Sequence, residues 1–159
     1  MNTAKGFTLV ELIIAVVILS IMAIAALPQF INFSSDAERS RIQSLAGALE
    51  SSTEIIYAKA NVKNLQEEAV TCLGGKMDVA TETCPDGGLL LHFGYPAATE
   101  RALEQMVTLD DWVTSSITSG FSGGIRIAAT EKDITACYVH YEEATIGNAA
   151  QVVVHTDGC

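Results

Sequence analysis

The chain has 159 residues, with 19 acidic side chains against 9 Lys and Arg, and its formal charge at pH 7 is −10. This length is typical of one domain and leaves no room for a second catalytic domain. The acidic balance argues against a nucleic-acid partner, because phosphate binding requires clustered Lys and Arg. A mean hydropathy of +0.31 is high for so acidic a chain and indicates that the apolar residues are unevenly distributed.

The apolar residues concentrate near the N-terminus. Residues 12–27 are apolar except for Ser20, and with the apolar residues of 7–10 they exceed the length of about 18–20 residues that crosses a bilayer as a helix. Lys5 is the only basic residue ahead of this segment, so the positive-inside tendency places the N-terminus in the cytoplasm and the rest across the membrane. Glu11 is the only charge inside it, and intramembrane acids usually have a partner.

Three interpretations of this segment compete. A cleaved secretory signal is supported by the sequence AIA at 23–25, but the apolar run is longer than the usual core of about 7–15 residues. A plain single-pass anchor requires Glu11 to reach the membrane surface. The third interpretation gives Glu11 a charge partner from another chain.

The pattern becomes amphipathic after Pro28, with apolar residues mostly three and four apart through Ile56. We predict one helix over 7–60, kinked at Pro28 and about 80 Å long, whose first half protrudes and whose second half packs on a head. A separate helix that starts at a Ser35–Glu38 capping box is the alternative.

Residues 61–159 form the predicted head. The segment 61–97 is rich in loops around a β-like run at 89–93, and a short amphipathic helix is predicted over 97–107. A period of two then predicts antiparallel strands at 124–128, 134–141 and 151–155. Strands laid across the amphipathic half of the long helix give an α+β fold.

Four cysteines follow the membrane segment, namely Cys72, Cys84, Cys137 and Cys159. An even count on the exported side predicts two disulfides in an oxidising compartment, and four cysteines allow three pairings. The shortest-range pairing joins Cys72 to Cys84 and Cys137 to Cys159, and each loop would stabilise the head by roughly 3 kcal/mol.

No pattern in the chain predicts catalysis, a cofactor or a metal ion. The sequence GFSGG at 120–124 matches a serine nucleophile motif, which needs a strand before it and a helix after it. Here a strand follows, and the chain is too short for a hydrolase sheet, so we interpret the segment as a glycine-rich turn. His92, His140 and His155 lack metal-ligand spacing. The adjacent acids Glu142 and Glu143 would point to opposite sides of a strand.

The N-terminal features together resemble the class III signal of type IV pilins and pseudopilins: a short leader ending in Gly6, then Phe7, Glu11 and a long apolar helix. The resemblance implies that a prepilin peptidase cuts between Gly6 and Phe7 and methylates Phe7. It also implies that Glu11 pairs with the N-terminal amine of a neighbouring subunit, and that Pro28 is the family's helix-kinking proline.

More of the chain resembles the mannose-sensitive haemagglutinin (MSHA) pilins. The segments that carry this resemblance are PQFIN at 28–32, SDA at 35–37, IYAKA at 56–60, FGYPAAT at 93–99, DDW at 110–112, CYV at 137–139 and the terminal GC. FGYPAAT and DDW are the most specific of them, because the N-terminal signal is shared by the whole superfamily.

The resemblance implies a non-enzymatic structural subunit, the major pilin of a type IV pilus that serves attachment and biofilm formation. Its implied partners are other pilin subunits, the prepilin peptidase, the inner-membrane assembly machinery, the lipid bilayer before assembly, and a surface or glycan receptor. The precursor would lie in the inner membrane with leader 1–6, and the fibre on the cell surface. A type II secretion pseudopilin and a signal-cleaved periplasmic domain remain the alternatives.

Overall fold

The first helix is the longest element of the fold. The computed structural model describes residues 7–119 and 122–159, with only the backbone at 25–32, 34, 118, 119 and 122. Helix α1 extends over Leu9–Val62 without interruption at Pro28. The chain divides into two compact units between Ala37 and Glu38, and we describe each by itself. The kink assigned to Pro28 stays a prediction.

Helix α1 ends in a left-handed cap. Asn64 has a φ of 56°, and the N–H groups of Asn64 and Leu65 donate to the carbonyls of Asn61 and Ala60, both at 3.0 Å. This is the Schellman arrangement, in which a short polar residue accepts the left-handed conformation and the last helical carbonyls find donors. The helix therefore stops for a local reason, two residues beyond the predicted end.

The unit Glu38–Cys159, which we call the head unit, contains two antiparallel sheets. The first has the order β1-β2-β3, with β1 at Thr71–Leu73, β2 at Leu89–His92 and β3 at Tyr95–Pro96. The second has the order β4-β5-β6-β7, with bounds Val113–Ser119, Ser122–Ala128, Tyr138–Glu142 and Gln151–His155. Together with α1 they confirm the predicted α+β class.

Two predicted elements are shorter in the structure. The helix predicted over 97–107 is α2 at Glu100–Glu104, because Thr99 is extended and caps it by accepting a hydrogen bond from the Ala102 N–H. The strand predicted over 134–141 begins only at Tyr138, since Asp133–Thr135 forms a single 3₁₀ turn. Strand β4 was not predicted at all, because its sequence VTSSITS has few apolar residues.

The core of the head unit lies between α1 and the four-stranded sheet. Helix residues Ile42, Leu45, Ala46 and Leu49 recur at spacings of three and four and are buried against Ile125, Ile127, Val139 and Tyr141. The strand residues alternate along β5 and β6, so one face of the sheet meets one stripe of the helix. A second cluster joins Ile56 and Ala60 to Leu89 and Leu91 of β2.

Candidate assembly helix and the head that carries it

The first part of α1 presents an exposed apolar surface. Every large apolar side chain from Phe7 to Ile24 is exposed, from 48% at Ile18 to 77% at Phe7. A continuous apolar surface of this kind marks a site for association with other molecules. Within the described part of the chain, none of the helices combines the length and the apolar character needed to span a bilayer.

Glu11 belongs to a reciprocal cap at the start of α1. The Glu11 N–H donates to Thr8 Oγ1 at 3.3 Å, and Glu11 Oε2 accepts from the Thr8 N–H at 3.1 Å and from its hydroxyl at 3.0 Å. This is the capping box of a Thr and a Glu three residues apart. Glu11 thus has hydrogen-bond donors within its own chain, but these donors are neutral, so its charge partner stays a prediction.

The pattern T-x-x-E at residues 8–11 is typical of this cap and could have been used to predict it. Thr8 is therefore a capping residue that the sequence-based predictions did not include. Phe7 precedes it and is the first residue that the structure describes. Gly6, on the other side of the predicted cleavage point, lies outside the described residues.

All four cysteines form disulfides, as predicted. Cys72 pairs with Cys84 at a Cα separation of 5.9 Å, and Cys137 pairs with Cys159 at 4.9 Å. The second bridge attaches the last residue to the chain just before β6, where the Gly158 N–H also donates to the Ala136 carbonyl at 3.0 Å. A side chain at Gly158 would collide with Ala136, so this close approach requires glycine.

The segment FGYPAAT forms a tight turn that contacts α1 and strand β6 of the head unit. Phe93 and Gly94 have φ values of 50° and 81°, as in the two-residue type I′ hairpin turn. Tyr95 then stacks on Tyr57 of α1 with ring centroids 4.2 Å apart. Tyr57 belongs to IYAKA, so two of the segments that resemble MSHA pilins are in direct contact.

Strand β6 reaches the same segment from the four-stranded sheet. The buried hydroxyl of Tyr141 donates to the Pro96 carbonyl at 2.8 Å, and burial raises the pKa of Tyr141. Glu143 accepts from the Ala98 N–H at 3.0 Å and lies 3.2 Å from His92 Nδ1. These contacts join the two sheets.

The Glu143 carboxylate has a shifted pKa. Burial by itself raises the pKa of Glu143, but the hydrogen bonds from His92 and the Ala98 N–H outweigh it and hold the pKa below its ordinary value of 4.5. The neighbouring Glu142 lies on a different partner, His140 Nδ1, at 3.7 Å. The two adjacent acids therefore serve separate contacts.

The DDW segment packs against α1 in the head unit. The Arg41 guanidinium lies 4.4 Å from the ring centroid of Trp112, and Arg41 Nη2 donates to the Asp111 carbonyl at 3.1 Å. A guanidinium over an indole face is a favourable cation–π contact. FGYPAAT and DDW thus have packing roles in the head unit that do not require a ligand.

The histidines lie on strand surfaces or in packing contacts. His155 stacks on Tyr138 with ring centroids 4.5 Å apart, and His140 lies opposite Arg126 in the ladder. Among residues 7–119 and 122–159, no three His, Cys, Asp or Glu side chains are grouped so that they could hold a metal ion.

An exposed apolar helix end and a disulfide-linked α+β unit in one chain define a class of protein that functions by association with other chains. Residues 1–27 match the family model described as a prokaryotic N-terminal methylation motif. The chain is 31% identical over 97 residues to the type IV narrow pilus major component PilA5 of Thermus thermophilus, a match that covers 60% of this chain and 84% of that protein. The chain belongs to the type IV pilins.

Other relatives agree with this assignment. A fimbrial protein of Moraxella nonliquefaciens is 34% identical over 121 residues, which cover 69% of this chain and 79% of the relative. The type IV major alpha-pilin of Moraxella bovis is 32% identical over 71 residues, or 45% of each chain. No solved structure matches the chain significantly.

Proposed function

We propose that this chain is the major structural subunit of a type IV pilus and polymerises through the first half of α1. The observation that carries the proposal is the exposed apolar surface of residues 7–24. In water this surface would be unfavourable at roughly 25 cal/mol per Å². In a fibre, other copies of the helix cover it.

The precursor is processed before assembly. A prepilin peptidase at the inner membrane cuts between Gly6 and Phe7 and methylates the new amine of Phe7, while the apolar helix lies in the bilayer. The inner-membrane assembly machinery then moves the subunit into the fibre. Support comes from the methylation motif over residues 1–27 and from the position of Phe7 immediately before the capped helix.

The N-terminal sequence of the assembled subunit tests this processing. Mass analysis of fibres sheared from the cell surface should give a chain that starts at Phe7 and carries one methyl group. A mature chain that starts after Ala25 or Ala26 would instead identify a secreted domain with an ordinary signal peptide. An unprocessed chain confined to the membrane would identify a simple anchor.

Glu11 provides the charge partner for the amine of Phe7 in a neighbouring copy. Both groups would be buried in the apolar interior of the fibre, where loss of one partner of an ion pair costs about 3–5 kcal/mol. The capping box positions this carboxylate at the helix end where the amine of the next copy would enter.

Three variants separate the two roles of Glu11. Glu11→Gln keeps an oxygen that can accept from the Thr8 N–H but removes the charge, whereas Glu11→Ala removes both. We expect both variants to insert and be cleaved but to be poorly incorporated into fibres, and the exposed Glu50→Ala on the same helix to assemble normally. Normal assembly of Glu11→Gln would show that the cap, and not the charge, is required.

The subunit serves attachment and biofilm formation in a fibre of the MSHA type. FGYPAAT, IYAKA and DDW support this subgroup, because these segments resemble those of MSHA pilins. Tyr57 stacks on Tyr95, and Trp112 packs on Arg41 of α1. Electron microscopy of a deletion strain should show loss of the fibres, with attachment lost in parallel and both restored by the intact gene. Unchanged attachment by cells without fibres would contradict the proposed role.

A further inference from the structure

The head unit has an apolar groove on the outer side of α1. Its volume is about 630 Å³, and it is lined by Ile55, Ala58, Lys59, Val62, Lys63, Leu73 and Gly74. Val62 is 85% exposed and Ile55 57% exposed, so the head leaves both uncovered. The groove lies where α1 meets β1, beside the buried stripe of the helix that continues through Ile56 and Ala60.

An apolar side chain protrudes from another part of the head unit. Ile146, in the connection between β6 and β7, is 84% exposed. Reciprocal backbone hydrogen bonds between Thr145 and Asn148, both at 3.0 Å, close the turn around it. The Asn148 side-chain amide also donates to Thr145 Oγ1 at 3.2 Å, and Gly147 supplies the left-handed φ of 78°. Ile146 is therefore held in solvent on a defined turn, which reduces the entropy lost when it binds.

The two surfaces have opposite charge. Lys59 and Lys63 line the groove, and within the part of the chain that the structure describes neither of them forms an ion pair. The β6–β7 hairpin that carries Ile146, residues 138–155, contains two acids, Glu142 and Glu143, and neither Lys nor Arg. Glu142 ends β6 at the base of the same hairpin, opposite Gln151. Complementary charge of this kind favours and orients association.

We propose that the Ile146 turn of one copy docks in the groove of Ile55, Val62 and Leu73 on another copy within the fibre. The proposal rests on the proposed function, since it requires a polymer of this chain. The groove and the turn are different patches of one molecule, so the contact is heterologous, and heterologous contacts that do not close into a ring build open helical filaments. Head contacts of this type would repeat at every subunit and supplement the packing of the apolar helices.

Cysteine cross-linking in assembled fibres tests the contact. The variant with Ile146→Cys and Val62→Cys adds two thiols to a chain whose four native cysteines are already paired. After mild oxidation of sheared fibres, we expect a ladder of disulfide-linked multimers on a non-reducing gel. The control joins Val62→Cys with Val79→Cys, because Val79 is 78% exposed and lies outside the groove and the turn. This control should remain monomeric.

The outcomes separate this contact from the proposed function. If wild-type cells carry no fibres made of this chain, the proposed function itself is wrong. Normal fibres of the Ile146→Cys, Val62→Cys variant that give no ladder, or a control that gives the same ladder, would overturn the docking contact alone.

A charge test covers the case in which the cysteine pair prevents assembly. Ile146→Lys places a third positive charge in the groove, and we expect loss of fibre yield that Lys59→Glu with Lys63→Glu restores. Unchanged fibre yield of Ile146→Lys would overturn the contact.

Discussion

The bridge between Cys137 and Cys159 gives a quantitative test of how the head unit is held together. The appropriate change is Cys137→Ala with Cys159→Ser, made together so that no free thiol remains. Cys137 is only 1% exposed, so alanine is the better replacement there, because serine would bury a hydroxyl group. The matched control removes the other bridge through Cys72→Ala and Cys84→Ala.

The expected loss follows from the length of the loop that each bridge closes. The sequence separations are 22 residues for Cys137–Cys159 and 12 residues for Cys72–Cys84. In the chain-entropy relation these loops contribute about 3.4 and about 2.8 kcal/mol to the free energy of unfolding. The first variant should lose more, because it also releases the C-terminal residues that follow β7.

Guanidinium unfolding of the full chain in detergent measures this difference. With a slope of about 4 kcal/mol per molar denaturant, the Cys137–Cys159 variant should unfold at a midpoint about 0.8 M lower than the wild type. Carboxypeptidase should digest its C-terminus faster, whereas the Cys72–Cys84 variant should resist as the wild type does. A midpoint shift below about 0.2 M, with an unchanged slope, would refute the role assigned to this bridge.

Three further changes test other contacts by unfolding. Glu143→Gln should lower stability at pH 7, and the difference should shrink as the pH falls below 4.5 and the carboxyl becomes protonated in the folded state, because a carboxylate with a depressed pKa stabilises the fold only while it is ionised; a constant difference would contradict this. Tyr141→Phe should cost about 1–3 kcal/mol by leaving the Pro96 carbonyl unpaired, and a neutral result would dismiss that hydrogen bond. Leu49→Ala, fully buried in the wild type, should cost about 2–5 kcal/mol in denaturant titration, and less than 1 kcal/mol would contradict the core packing.

The parts of the fold that were predicted are those with a local signal. The long helix follows from a periodic apolar pattern, and β7 was predicted with its observed bounds. Strand β4 was not predicted because Val113 and Ile117 are its only large apolar residues. Its pairing with β5 identifies it in the structure. Contacts such as Tyr57–Tyr95 join residues that are far apart in the sequence, so no local pattern predicts them.

The same distinction applies to the proposed assembly residues. Phe7 and Glu11 were predicted through their resemblance to the pilin signal, and their roles stay predictions. Thr8 caps the helix through a hydrogen-bond geometry that the resemblance does not include. The specific segments FGYPAAT and DDW were interpreted as family markers. The structure gives them a physical reason, since they hold α1 against the sheets of the head unit.

The geometry of Glu11 shows how one carboxylate can serve both helix and fibre. Both Thr8 donors reach Oε2, and within the described residues no hydrogen bond is directed to Oε1. One oxygen therefore orients the side chain, and the other can receive an ammonium from a second copy. A carboxylate already fixed in place loses less conformational entropy when the ammonium arrives. Thr8→Val, which lacks the hydroxyl, should therefore weaken fibre assembly less than Glu11→Gln, because it loosens the carboxylate without removing its charge. Fibre yield of the two variants, measured in parallel, tests this, and a lower yield of Thr8→Val would contradict it.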